Sequence, residues 1–179
     1  MMKMRSNEEW MEMYQRGDKT GFTQLYERLH EPLYCFLYRY TQEEQLSIDI
    51  VHDTFEILQK KKQAFSSDKG TVKAYLFQIA YRLLINKLNR RKKWRSLLPF
   101  LVPQTDHVIN IDEKMWVQQA IAGLPDKQRA IILLVYYEDL PQNEIASILD
   151  IPIGTVKSRL HKAMNTLKND LEEDFHAER

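Results

Sequence analysis

The sequence predicts an all-α protein of two small helical domains joined by an extended linker. Three observations carry this. Apolar residues recur at i, i+3 and i+4 along most of the chain, and no run alternates apolar and polar residues around a hairpin turn. Only five glycines and six prolines interrupt a composition that is 44% hydrophobic and 28% charged, a balance that fits a water-soluble, helical protein. A chain of 179 residues suits one domain or two lobes of roughly 80 residues each.

The elements follow in order. A first helix is expected over Asn7–Gln15, stopped by Gly17, and a second from Gly21 to about Tyr40, with Phe22, Leu25, Tyr26, Leu29, Leu33, Phe36, Leu37 and Tyr40 on its apolar face. Pro32 should bend or break that helix, because proline lacks the N–H that the ladder needs. A third runs from Gln42 or Ser47 to Lys62, with Ile48, Val51, Phe55 and Leu58 on one stripe. After the loop Ser66 to Gly70 comes a fourth helix, Thr71 to about Arg95, expected to bury Val72, Leu76, Ile79 and Leu83. Residues 96–111 lose the helical spacing and contain Pro99 and Pro103, the mark of an extended linker. Beyond it, helices are expected over Glu113 to Ala122, Pro125 to Glu138, Gln142 to Leu149 and Gly154 to about Leu171, with an acidic tail that frays. The domains are thus 1–95 and 112–179, with the linker at 96–111.

Composition excludes several function classes. A single cysteine, Cys35, allows no internal disulfide and no four-cysteine zinc site, and fits a reducing compartment. The apolar run Ala130 to Tyr137 is too short to span a bilayer, and residues 1–10 carry charge where a signal peptide needs an apolar core. A cytoplasmic protein is expected. The five histidines are scattered, and no HExxH, phosphate-binding glycine loop or nucleophile elbow occurs. The reading is a binding protein, not an enzyme, with no cofactor and no metal.

The formal net charge of +1 conceals a segregation. Between Arg82 and Arg95 lie seven basic residues and no acid, whereas Glu43 to Glu56 holds five acids and no lysine or arginine. Such poles point to two partners of opposite sign.

The segment Glu144 to Leu160 reads as a helix, a turn and a second helix. Ala146 is small where two such helices approach closest; Ile145, Leu149, Ile151, Val156 and Leu160 supply the contacts that set their crossing. Asp150 occupies the exit from the first helix, where positive φ is common, and Pro152 blocks its continuation. With Ile153, Val156, Leu160, Ala163 and Leu167 inward, the second helix turns Thr155, Ser158, His161 and Lys162 outward, flanked by Lys157 and Arg159. A short, positive, hydrogen-bonding face at the start of a helix suits the major groove of DNA. The fourth helix offers Lys73, Phe77, Gln78, Tyr81, Arg82 and Asn89 and ends in the basic cluster. Aromatic rings beside cations can hold unstacked bases while neutralising phosphates; equally, the rings can be core and the arginines a solvated helix end.

Taken together, Asp49-Ile50-Val51-His52-Asp53-Thr54-Phe55, Tyr75-Leu76-Phe77-Gln78-Ile79-Ala80, the basic run, Leu124-Pro125-Asp126-Lys127-Gln128-Arg129 and Gly154-Thr155-Val156-Lys157-Ser158-Arg159-Leu160 resemble the extracytoplasmic-function sigma factors of bacterial RNA polymerase. The resemblance spans about Phe22 to Leu171. It implies a sigma region 2 domain and a sigma region 4 domain without a separate region 3. It implies that Asp49, His52, Asp53, Phe55 and Glu56 bind the RNA polymerase core, at the clamp helices of the largest subunit. Lys73, Phe77, Tyr81, Arg82, Asn86, Asn89 and Arg90 would recognise and open promoter DNA near −10. Thr155, Lys157, Ser158, Arg159, His161 and Lys162 would read the element near −35. The linker would thread the enzyme's active-site and RNA-exit channel. A further implied partner is an anti-sigma factor, often membrane-bound.

Six positions depart from the family's habits: His52, Asp53, Arg82, Asn86, Pro141 and Asp150 stand where glutamine, glutamate, asparagine, aspartate, serine and glycine are frequent. The alternative is a stand-alone helix-turn-helix regulator. It calls for a dimerisation helix with a heptad seam, which the sequence does not show.

Overall fold

The computed structural model describes residues 5–97 and 113–177. Within them lie eight α-helices and no strand: α1 (Asn7–Gln15), α2 (Lys19–Thr41), α3 (Glu44–Lys60), α4 (Val72–Leu97), α5 (Glu113–Gly123), α6 (Asp126–Tyr136), α7 (Gln142–Leu149) and α8 (Ile153–Ala177). Two single 3₁₀ turns, Lys62–Ala64 and Ser67–Lys69, join α3 to α4. The fold class is the expected one. Most of the expected linker lies outside the described residues, although α4 continues through Ser96 to Leu97.

Local chemistry explains the boundaries. Ser6 and Glu9 form a reciprocal capping box at α1, and Gly17, at φ 103°, ends its turn. Asp18 caps α2 by accepting from the Thr20 N–H at 2.9 Å, which holds its carboxyl below the usual range. Helix α2 runs unbroken through Pro32. The proline removes one hydrogen bond, whereas Leu29, Leu33, Phe36 and Leu37 around it are all buried and hold the helix against its neighbours. Asp150 takes the left-handed conformation at the end of α7, at φ 55°. Helix α8 passes the expected fraying point at Leu171, since neither glycine nor proline interrupts it.

Helices α1 to α4 bury Met11, Leu25, Leu33, Phe36, Ile50, Leu58, Leu76, Phe77 and Leu84. Helices α5 to α8 bury Ile121, Ala130 to Leu134, Ile145, Ile148, Val156 and Ala163. The two sets merge into one contiguous cluster, with α6 on α2 and α7 on α4.

Two sequence expectations about burial need correcting. On α4 the fully buried residues are Val72, Ala74, Leu76, Phe77, Ala80 and Leu84, whereas Ile79 and Leu83 are only half-buried. The helix is rotated because α2 takes Phe77 against Phe36, ring centroids 5.4 Å apart. Ile153, expected inside, is 45% exposed at the first position of α8, and the buried stripe begins at Val156.

Gly21 sits where α1 and α2 touch. A Cβ there would lie 2.3 Å from the Trp10 carbonyl oxygen and 2.8 Å from the Tyr14 nitrogen, both backbone atoms that cannot swing away. Gly21→Ala should therefore cost roughly 1–3 kcal/mol through overpacking. Gly123→Ala, with open space around the new methyl, should be neutral or slightly stabilising. Thermal melts of the two variants check the contrast.

Candidate polymerase and promoter surfaces

Three surfaces hold the residues singled out by the sequence. On α3, Asp49, His52 and Glu56 are exposed on one outward face. Asp53 is tied to Lys87 of α4 at 2.8 Å, and Glu43 accepts from Arg91 at 2.6 Å. Part of the acidic pole thus meets part of the basic pole within the chain. Phe55 is 3% exposed, with Tyr26 at 4.8 Å and Phe22 at 6.1 Å between ring centroids. It lies beneath the acidic face, at the base of a surface groove shared with His52 and Glu56.

Along α4, Arg82, Asn86, Asn89 and Arg90 form an exposed stripe. The aromatic residues expected beside them have moved inward. Phe77 is fully buried, and Tyr81 is half-buried with its ring edge-on to Tyr40 at 6.5 Å. Burial raises the Tyr81 phenol pKa, with Asp126 adding to the rise and Arg159 opposing it. Lys73 points at the second helix set: its ammonium lies 3.1 Å from the Glu138 carboxylate and donates to the Glu138 carbonyl at 2.8 Å. Glu138 is 6% exposed, and desolvation pushes its carboxyl pKa up, opposed by the Lys73 hydrogen bond and charge.

In the helix-turn-helix, Lys157, Ser158, His161 and Lys162 are exposed along α8, while Thr155 and Arg159 are half-buried. Ser158 donates its hydroxyl to the Thr155 carbonyl at 3.1 Å, and His161 pairs with Asn165 at 3.2 Å.

Sequence reasoning missed three features. The first is Arg129, in the apolar helix α6. Its guanidinium donates to the carbonyls of Tyr40 at 3.0 Å and Leu124 at 2.9 Å, as well as to Ala122, and lies over the Tyr40 ring. A lone arginine amid Ala130 to Leu134 is the signal that it needed buried acceptors. The second is Glu138. The third is a cavity of about 350 Å³ between the α3–α4 connection and α4, walled by Phe65 and Tyr75 and by Lys69 and Gln78, with Ser147 of α7 at its edge. Its two rings pack on each other, with centroids 5.5 Å apart, and form one aromatic wall. Two aromatic residues ten positions apart, across a loop, leave no periodic trace in sequence.

With this geometry in place, the comparisons are specific. Residues 25–95 match the model of Sigma-70 region 2 and residues 114–167 that of Sigma-70 region 4. The chain is 26% identical over 172 residues to the ECF RNA polymerase sigma factor SigW of Bacillus subtilis, covering 87% of this chain and 91% of that protein. It is 26% identical over 163 residues to SigK of Mycobacterium sp. (strain JLS), covering 86% and 84%.

The chain belongs to the extracytoplasmic-function sigma factors.

It binds RNA polymerase core and directs promoter recognition and transcription initiation, and it is not an enzyme. The fold is shared with the sigma factor RpoE of Bartonella quintana, solved with the anti-sigma factor NepR (TM-score 0.74, 22% identity, 84% of this chain and 96% of that one). It is shared also with CnrH, solved with the cytosolic domain of CnrY (TM-score 0.71, 22% identity, 94% and 98%). Among the described residues of this sigma factor no helix is long and apolar enough to cross a membrane.

The burial of Phe77 changes what its removal should do. Phe77→Ala empties a core site and should cost about 3–5 kcal/mol of stability, whereas Arg82→Ala, on the exposed stripe, should leave stability within about 0.5 kcal/mol. Chemical denaturation of both variants, read by circular dichroism, tests this.

Proposed function

We propose that this sigma factor assigns its tasks to three faces, with region 2 in residues 1–95, a connecting linker at 96–111 and region 4 in 112–179. Asp49, His52 and Glu56 on the outer face of α3 meet the polymerase core, and Asp53 joins them by exchanging its partner Lys87. Arg82, Asn86, Asn89 and Arg90 on α4, with Lys73 and Tyr81 once uncovered, contact DNA near −10. The cavity lined by Phe65 and Tyr75 takes an unstacked base: the two packed rings form one aromatic wall, and Lys69 stands beside it, the combination that binds single strands. Thr155, Lys157, Ser158, Arg159, His161 and Lys162 read the element near −35. The protein works in the cytoplasm, and its regulating partner is an anti-sigma factor, a reading supported by the anti-sigma complexes of its fold neighbours.

The observation that carries this reading is the contact between α4 and α7. Lys73 is bound by Glu138, Gln78 donates to the Ser147 carbonyl at 2.6 Å, and the Thr71 N–H donates to Glu144 at 3.3 Å. The part of the melting face of region 2 that holds Lys73 is thus covered by region 4. A stand-alone regulator gains nothing from covering its own DNA surface. A subunit that reads promoters only on polymerase does, because the core can separate the two regions.

Run-off transcription with purified core enzyme tests the function: the chain should confer initiation at specific promoters, and the core alone should not. Asp49→Arg should weaken retention on core by tenfold or more, since reversal adds repulsion at a charged docking face; unchanged retention removes α3 from the interface. Glu138→Ala should loosen the cover, because Lys73 loses its buried partner. Free chain carrying it should bind single-stranded DNA roughly tenfold more tightly, as read by fluorescence anisotropy.

A further inference from the structure

Helix α1 lies before residue 25, outside the part of the chain matched by the region 2 model. It nevertheless holds both ends of the connection that walls the aromatic cavity. At the near end the exchange is reciprocal. The Gln15 side-chain amide donates to the carbonyls of Lys62 at 2.8 Å and Phe65 at 3.0 Å. In return Lys62 donates its ammonium to the Tyr14 carbonyl at 3.1 Å, and the Gln63 amide donates to the Gln15 carbonyl at 2.9 Å. The last carbonyls of any helix lack intrahelical donors, and a cation there is favoured by the helix dipole. Both needs are met by the connection. At the far end the Glu8 carboxylate accepts from the Val72 N–H at 3.2 Å, at the first residue of α4. A negative charge at a helix N-terminus is the complementary arrangement, and it adds to the Thr71 hydroxyl, which accepts from the Ala74 N–H at 3.1 Å.

Between these ties the connection has little structure of its own. Its two 3₁₀ turns have three residues each, and such turns are weak in isolation. Phe65 follows directly on the first, and Gln15 grips its carbonyl. We propose that α1 is a brace that presets the base-binding cavity, with Gln15 and Glu8 as positioning residues for promoter opening. This rests on the reading that the cavity lined by Phe65 and Tyr75 takes a base. Gln15 holds Phe65 in place against Tyr75, and Glu8 sets where α4 begins. Preset walls let an unstacked base bind without first ordering the loop, so removing the brace lowers affinity for melted DNA and leaves polymerase and duplex contacts alone.

The test uses holoenzyme reconstituted with full-length chain. The probe is a short single strand of the downstream element, taken from a promoter transcribed in the run-off assay, with 2-aminopurine at successive positions. Wild type should quench the analogue at the position that enters the cavity. Gln15→Met, which keeps the shape and removes the donor, and Glu8→Ala should each weaken binding of this strand about tenfold and abolish the quench. Both should leave core retention and binding to an upstream-element duplex unchanged. Glu8→Gln, which keeps an acceptor, should behave as wild type. Wild-type affinity and quench in Gln15→Met, or a parallel loss of core retention and strand binding, would overturn the brace. Tyr75→Leu separates the two ideas: if it preserves both strand affinity and quench, the base pocket itself is wrong; if it loses them while Gln15→Met does not, only the brace is wrong.

Discussion

Everything in this molecule turns on how α4 is rotated, and that rotation is set by burying Phe77 against Phe36. Successive residues on a helix differ by about 100°, so with Phe77 inward, Arg82, Asn86, Asn89 and Arg90 fall on the far side. They are the exposed stripe. Lys73 and Tyr81 fall about 40° to either side of Phe77, at the margins of the core. There they meet the second helix set instead of solvent. One apolar contact thus decides which cations of α4 are free and which are covered.

Besides the apolar residues through which the two cores merge, the contact between the helix sets contains many polar groups. Among them are the Lys73–Glu138 pair, the Gln78 and Thr71 hydrogen bonds to α7 residues, and the Arg129 clasp on the Tyr40 carbonyl. Groups of this kind regain hydrogen bonds from water when they separate, so the net contribution of each is about 0.5–1.5 kcal/mol, more where charge is involved. A buried leucine pair would have no such compensation. Burial still makes the contact selective: the desolvation of Glu138 is offset first by Lys73, with the Arg39 charge adding to it. An interface made this way closes in one register and can still be opened by a competing surface.

Most of the fold was legible because local signals agreed with tertiary ones. The bounds of α1 and α7 followed from Gly17 and Asp150, and the helix-turn-helix from Ala146 and Pro152. Where tertiary packing overruled a local rule, the sequence misled. Pro32 reads as a breaker, but the apolar residues flanking it outweigh one lost hydrogen bond. Phe77 reads as a base-stacking ring, because the wheel of α4 was phased on Val72, Leu76, Ile79 and Leu83 with no knowledge of Phe36. The exposed faces of α3 and α8 were readable as stripes of charge, except that Phe55 lies beneath its face. The partners of Glu138, Gln15 and Glu8 were not readable at all, and Arg129 showed only a need for buried acceptors. Each acts on a residue 47 to 89 positions away or more than one helix removed, and no periodicity records such a pairing.

The charge pattern shows the same division between what sequence records and what the fold adds. Read along the chain, α3 is an acidic pole and α4 a basic one. Folded, the two helices lie side by side, and Asp53–Lys87 and Glu43–Arg91 cancel across their contact. Exposed pairs of this sort contribute only about 0.2–1 kcal/mol each, so they do not hold α3 to α4; Ile50, Leu58, Leu76 and Leu84 do. What the pairs determine is the field. They remove charge where the two helices meet and leave it on the outer faces, acidic at Asp49, with Glu56 paired to Lys60 on the same helix, and basic at Arg82, Arg90 and Lys93. A chain with a net charge of +1 thereby presents opposite signs in two directions, which a uniformly mixed surface of the same composition would not.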